Sequence, residues 1–245
     1  MQRRPWNDRP IADPGESLLP LPPELLRLEP HPYAHLGAPY GPGACPFRLR
    51  QGVIRRLVQA QAHLQRQHPH WCLAIFDAWR PLAVQAFMVD HAIGELCHQR
   101  GIDPAQPSAA REQAVADVGR FWAPPNPDPA APPPHSTGAA VDLTLARLLD
   151  TGEHELLEMG SEIDAIGAVS EPDHFGERAA VCADAQQQRI FQTWHGHRQA
   201  LRDAMQEAGF VQHPNEWWHF SWGDQLWAWR SGAPLAHYGR IDSTF

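Results

Sequence analysis

His135-Ser136-Thr137-Gly138-Ala139-Ala140-Val141-Asp142 sets a neutral nitrogen ligand and a carboxylate seven residues apart, with a glycine between them. On an extended strand, residues seven apart point to opposite faces, so both reach one metal ion only if the chain reverses or bulges on the way. Gly138 is placed to allow this, because glycine enters the positive-φ region without steric cost. From Ala139 to Leu145 the pattern alternates, with Val141, Leu143 and Leu145 on one face and Asp142 and Thr144 on the other, which predicts a strand. Far downstream, Glu216-Trp217-Trp218-His219 offers a second nitrogen ligand three residues after a carboxylate. His135, Asp142 and His219 together supply the three protein ligands of a catalytic zinc site that keeps a fourth position open, so one Zn2+ per chain is expected. Zinc lowers the pKa of the water it activates to about 7, and Glu216 is close enough in sequence to accept that proton and pass it to a leaving amine.

Upstream, Trp71-Cys72-Leu73-Ala74-Ile75-Phe76 is a short apolar run between Pro69 and Asp77, and it predicts a buried strand. Asp77-Ala78-Trp79-Arg80-Pro81 follows at its end. A guanidinium fixed there can stabilise the oxyanion of a tetrahedral intermediate, which gives Arg80 a catalytic reading beside the blander one of an ion pair with Asp77. Helical spacing of apolar residues predicts helices over about 50–67, 82–100, 109–121 and 189–208. Strands are expected at Phe210-Val211, Trp217-Trp218 and Phe220-Ser221-Trp222, bent by Pro214. The fold class that follows is α+β, a small antiparallel sheet carrying the zinc site and packed against helices, in one domain spanning 1–245.

Three segments fall outside regular elements. Residues 1–46 hold eleven prolines and are expected to wrap the folded body without long helices. Residues 123–134 are expected to run as surface polyproline, a loop that delivers the chain into His135. Residues 150–185 mix Gly, Pro, Asp and His and are expected to form a long, partly ordered loop acting as a lid.

The composition excludes several classes. All 20 basic residues are arginines, and they face 28 acidic ones for a net charge of −8, which repels nucleic-acid phosphates and anionic membranes. Neither a signal-peptide core nor a membrane span is legible, so a cytoplasmic location is expected. Cys45, Cys72, Cys97 and Cys182 are widely spaced and read as reduced, buried thiols. Fifteen histidines make chance ligand pairs common, and His195-Gly196-His197 and Cys97-His98 read as solvated helix faces.

Taken with their order along the chain, His135-Ser-Thr-Gly-Ala-Ala-Val-Asp142, Glu216-Trp-Trp-His219 and Asp77-Ala-Trp-Arg80-Pro81 resemble the D-alanyl-D-alanine dipeptidases of the VanX type, zinc peptidases, over roughly residues 24–225. The resemblance implies zinc on His135, Asp142 and His219, Glu216 as general base and Arg80 as transition-state stabiliser. It implies further that Asp164, in the Met159-Gly160-Ser161-x-x-Asp164 segment, holds the free amino group of a small dipeptide with help from Ser161 and Tyr33. One position departs from the family pattern: Pro133 stands where a serine is usual, two residues before the first zinc histidine. Related readings are a cell-wall D,D-carboxypeptidase or endopeptidase using the same zinc, base and arginine, and a zinc-stabilised binding module that has lost turnover.

Overall fold

Prolines at the start of the chain block long helices, and the segment folds in short pieces. These are β1 (Leu18–Pro20), β2 (Leu26–Arg27) and the single-turn α1 (Pro32–His35). The computed structural model describes residues 4–41 and 45–241; the remainder of the Pro-rich 1–46 segment lies outside these. β3 (Arg48–Arg50) pairs antiparallel with β1 and leads directly into α2 (Gln51–Gln67). The helix buries Val53, Leu57, Ala60 and Leu64 along one face, as the 3.6-residue period requires. β4 (Trp71–Asp77) follows, then α3 (Leu82–Gln99), which starts directly after Pro81, and α4 (Ala109–Phe121), capped by the Ser108 side chain on the Arg111 amide.

A 3₁₀ turn at Pro134–Thr137 brings the chain into β5 (Ala140–Leu148), which β6 (His154–Leu156) extends antiparallel at its far end. Beyond these lie α5 (His174–Val181), α6 (Ala185–Glu207), β7 (Val211–Gln212), β8 (His219–Ser221) and α7 (Gln225–Ser231). The main sheet runs β2-β4-β5-β8-β7. Its pairs are antiparallel except β2 with β4. The α+β class and the antiparallel sheet are as expected, and the sheet gains one parallel edge. β2 reaches β4 through α1, β3 and α2, a crossover long enough to return the chain in the same direction.

Val141, Leu143 and Leu145 of β5 join Leu73 and Ile75 of β4, Phe220 of β8, and the inner faces of α2 and α6 in the largest apolar cluster, which runs from Leu21 to Tyr238. A second cluster of α3, α4, Tyr33 and Trp122 lies apart from it. By strand alternation Asp142 faces away from the first cluster. Among the described residues no helix is long and apolar enough to cross a membrane.

Several local expectations are corrected. α6 begins four residues earlier than its apolar period shows, because Asp184 Oδ1 accepts from the Gln186 and Gln187 amides at 2.8 and 3.0 Å and caps a polar first turn. Trp217-Trp218 is a bend ahead of β8, and α7 rests on an Asp224 cap that carries little apolar period. Pro132, Pro133 and Pro134 are buried, so the Pro-rich loop dives inward at its end. Segment 150–185 holds β6, a 3₁₀ turn at Ala168–Ser170 and α5. All four cysteines are free, but only Cys72 and Cys97 are buried.

Gly138 has φ 68° and ψ 22°, and a Cβ there would meet Leu18 Cδ1 at 2.6 Å. Gly138→Ala is expected to cost about 1–3 kcal/mol in urea unfolding, from the left-handed backbone more than from a methyl that can yield.

Candidate metal centre

Asp77 at the end of β4, Asp142 in β5 and His219 at the start of β8 are register partners across three adjacent strands, which puts their side chains on one face. His135 joins them from the 3₁₀ turn, brought round by the left-handed Gly138. His135 Nε2 lies 3.1 Å from Asp142 Oδ2 and 3.1 Å from His219 Nδ1. His219 Nδ1 is 3.0 Å from Asp142 Oδ1. Donors about 2.0 Å from a tetrahedral ion stand roughly 3.3 Å apart, so this triad fits a zinc-sized cation. It is the donor cluster of this kind among the described residues.

The outer hydrogen bonds assign the tautomers. His135 Nδ1 is 2.7 Å from the Ala78 carbonyl and must donate to it, leaving the Nε2 lone pair for the centre. His219 Nε2 lies 3.4 Å from Ser221 Oγ, whose own proton goes to Asp224 Oδ2 at 2.8 Å. His219 therefore presents Nδ1 to the centre. Burial opposes ionisation of Asp142, but the adjacent His135 and His219 outweigh it and hold its carboxyl well below the usual range.

Arg80 is buried and held in a frame. Its Nε donates to Asp77 Oδ2 at 2.9 Å, Nη1 to Gln85 Oε1 at 3.0 Å and Nη2 to Asp142 Oδ2 at 3.2 Å. The ion pair with Asp77 that the blander reading expects is present, and the same guanidinium also lines the pocket with the donor triad. Asp77 is itself fixed by His31 Nε2 at 3.0 Å and Tyr40 Oη at 3.3 Å.

Glu216 lies in the loop between β7 and β8, three residues ahead of its neighbour His219, with Oε2 3.7 Å from His219 Nδ1. Burial, reinforced by Asp142 and Asp164, raises its carboxyl well above the ordinary range. Its Oε1 is buried 3.3 Å from His213 Nδ1, a nitrogen that accepts the Asn215 amide at 3.4 Å and so leaves Oε1 without a hydrogen bond. Asp164 enters the same pocket and accepts the Tyr33 hydroxyl proton at 2.7 Å. Asp164 is partly exposed as a residue, yet protein surrounds its carboxyl, and that burial with the charge of Asp142 pushes it up to about 7. Its φ of 67° is the one positive value among the described non-glycine residues, a strain of order 1–3 kcal/mol that the segment around it must sustain.

Ser161 goes elsewhere. Its hydroxyl donates to Val169 O at 3.2 Å and accepts from Arg198 Nη2 and Trp217 Nε1, each at 3.0 Å, so it is committed to the support under Asp164 and does not line the pocket. Arg198 also binds the carbonyls of Met159, Val169 and Glu171 at 2.8–2.9 Å. These bonds pin the segment expected as a lid to α6, and the Arg198 that makes them is buried.

Sequence reasoning passes over Gln85, His213, Arg4 and Trp6, which line the pocket too. None carries a spacing signal: His213 is one histidine among fifteen, and Arg4 and Trp6 come from the far end of the chain.

A buried His/Asp/His triad beside a buried carboxylate and a fixed guanidinium is the site of a metallohydrolase. A family model described as D-ala-D-ala dipeptidase, Peptidase M15, matches residues 27–235. A D-alanyl-D-alanine dipeptidase of Synechocystis sp. is 42% identical over 98% of this chain and 97% of that protein. One from Enterococcus faecium is 38% identical over 37% of each chain. The solved structure of a vancomycin-resistance D,D-pentapeptidase VanY mutant in complex with Zn(II) is 16% identical, with a TM-score of 0.42 over 77% of this chain and 81% of that one. The chain belongs to the Peptidase M15 family of D-Ala-D-Ala dipeptidases, and it is a metallopeptidase.

Ser221→Ala removes the oxygen that orients His219 Nε2. Zinc affinity, measured by competition with a chelating dye, is expected to fall about 10–100-fold with the fold retained.

Proposed function

We propose that the chain is a zinc-dependent dipeptidase that hydrolyses D-alanyl-D-alanine or a similarly small dipeptide. The observation that carries this reading is the shared pocket, in which an amine-binding carboxylate, Asp164, faces the same space as the donor triad and Glu216. A free amino group is what a dipeptide has and a wall-linked peptide lacks. The near-full-length likeness to a D-alanyl-D-alanine dipeptidase supports the same substrate class.

His135, Asp142 and His219 would hold one zinc ion, which when bound acidifies water and polarises the scissile carbonyl. Glu216 takes a proton from the attacking water on Oε1, the oxygen that the protein leaves unpartnered. It then delivers the proton to the leaving amine, a role suited to a carboxyl that burial and the neighbouring Asp142 and Asp164 raise above the usual carboxylate range. Arg80 stabilises the oxyanion with a guanidinium that Asp77 and Gln85 already hold in place, so little reorganisation accompanies charge development. Asp164 binds the substrate ammonium, and the Tyr33 hydroxyl holds that carboxylate in position. With Asp164 and Tyr33 present, the hydroxyl absent at Pro133 leaves the amine with one partner fewer rather than none.

The catalytic unit is the whole chain as a single domain, a reading supported by an apolar cluster that extends from Leu21 to Tyr238. A cytoplasmic location is part of the same reading.

Glu216→Ala is expected to retain zinc and lose about 10²–10⁴-fold in kcat, whereas His219→Ala loses both metal and turnover. Near-normal turnover of Glu216→Ala would remove Glu216 from the mechanism. Arg80→Lys is expected to lose roughly 10²-fold, because an ammonium cannot reproduce the planar fork. Offered free D-Ala-D-Ala and an N-acylated tripeptide side by side, the enzyme should cleave the dipeptide; preference for the blocked peptide would overturn the assignment.

A further inference from the structure

The pocket receives a wall from the beginning of the chain. Residues 4–12 cross from α4 to the end of the chain, where Ile11 bridges Ala236 and the Ala12 amide donates to the Ala236 carbonyl at 2.9 Å. Gln225 Nε2 ties the strap down by donating to the Arg9 carbonyl at 2.6 Å and to Ala130 O at 2.9 Å. Trp6 is buried, with its ring edge-on to His213 at 5.6 Å and 5.8 Å from Trp229. Arg4 stands beside it at the pocket wall. Its Nη2 donates to Gly119 O at 2.5 Å and Trp122 O at 3.2 Å, carbonyls at the C-terminal end of α4. Its Nε is buried and has no partner.

The charges of the pocket leave one demand unmet. A dipeptide with free ends is a zwitterion, and Asp164 answers only its ammonium. Of the two arginines lining the pocket, Arg80 is held against Asp77, Gln85 and Asp142 at the donor triad, where the reading above gives it the oxyanion. Arg4 is the remaining cation, and its donor is unpaired and buried.

The geometry points to Arg4 as the residue that recognises the C-terminal carboxylate of the substrate, with Trp6 and the 4–12 strap holding it at the pocket wall. This inference rests on the dipeptidase reading above. The α4 carbonyls fix the guanidinium through Nη2 and leave Nε for the ligand. Dipeptide specificity then comes from two charged ends, Asp164 for the ammonium and Arg4 for the carboxylate, with the reacting centre between them.

The test uses the zinc-loaded full chain carrying Glu216→Gln, so that ligands bind without being consumed, and titrates it calorimetrically with D-Ala-D-Ala and with D-alanyl-D-alaninamide, which lacks the carboxylate charge. Adding Arg4→Gln should weaken the dipeptide roughly ten- to a hundredfold, the share of one charge-assisted contact, and leave the amide within about twofold. Arg4→Lys should recover part of the loss. Equal weakening of both ligands would make Arg4 a structural cap of α4 and overturn the proposal, as would no change in either. Dipeptide binding that depends on Arg4, in a wild-type enzyme that does not cleave the dipeptide, would sink the assigned reaction and leave Arg4 in place. No binding of the dipeptide to the Glu216→Gln protein would overturn both.

Discussion

Three carboxylates, Asp77, Asp142 and Glu216, are buried around one end of the sheet, with the carboxyl of Asp164 beside them. Charges removed from water need partners or protons, and the pocket is arranged by how each of these groups meets that demand. Asp77 and Asp142 stay ionised against Arg80 and the imidazoles, which hold both below the ordinary range despite their burial. Burial lifts Glu216 and Asp164 instead, and the neighbouring carboxylates add to it. The same cavity thus contains anions placed to hold a metal and an arginine, and carboxyls raised above the ordinary range. Removing Arg80 would unbalance all four, so the role proposed for it in catalysis rests on the same contacts that hold the pocket together.

This balance needs precise delivery of side chains, and strand register supplies most of it. Adjacent strands carry Asp77, Asp142 and His219 to one level of the sheet, and the side-chain alternation turns the neighbouring Val141 and Phe220 into the core. A register slip of one residue would exchange ligand and core faces. The sheet alone makes an open surface, however. Enclosure comes from irregular segments: the 213–218 loop with Glu216, the buried end of the Pro-rich loop, the Asp164 segment pinned by Arg198, and the strap from the start of the chain.

Much of the fold is legible in the order of residues. The alternation after Gly138 marks β5 and its inward face, and the apolar periods mark α2, α3 and α4 within a residue of their observed ends. Local patterns succeed there because burial on one face imposes a period of two or 3.6 on neighbouring residues. They fail where a cap or a distant contact decides. The polar first turn of α6 exists because of Asp184, Trp217-Trp218 bends because His213 N bonds His219 O to close the hairpin, and the 150–185 segment is ordered by Arg198 from another helix.

The site divides along the same line. His135, Asp142, Glu216 and His219 stand out in the sequence because metal and proton chemistry restrict residue type and spacing within short stretches. Ser161, which sits in as suggestive a motif, is directed by tertiary hydrogen bonds to Arg198 and Trp217 and away from the pocket. Gln85, His213, Trp6 and Arg4 belong to the pocket through packing alone. Amino-acid order specifies the donors and the strands that carry them, since both leave a local periodic or chemical signature. Which groups close the pocket is settled by folding in three dimensions, because residues as distant as Arg4 and Glu216 become neighbours through no pattern between them.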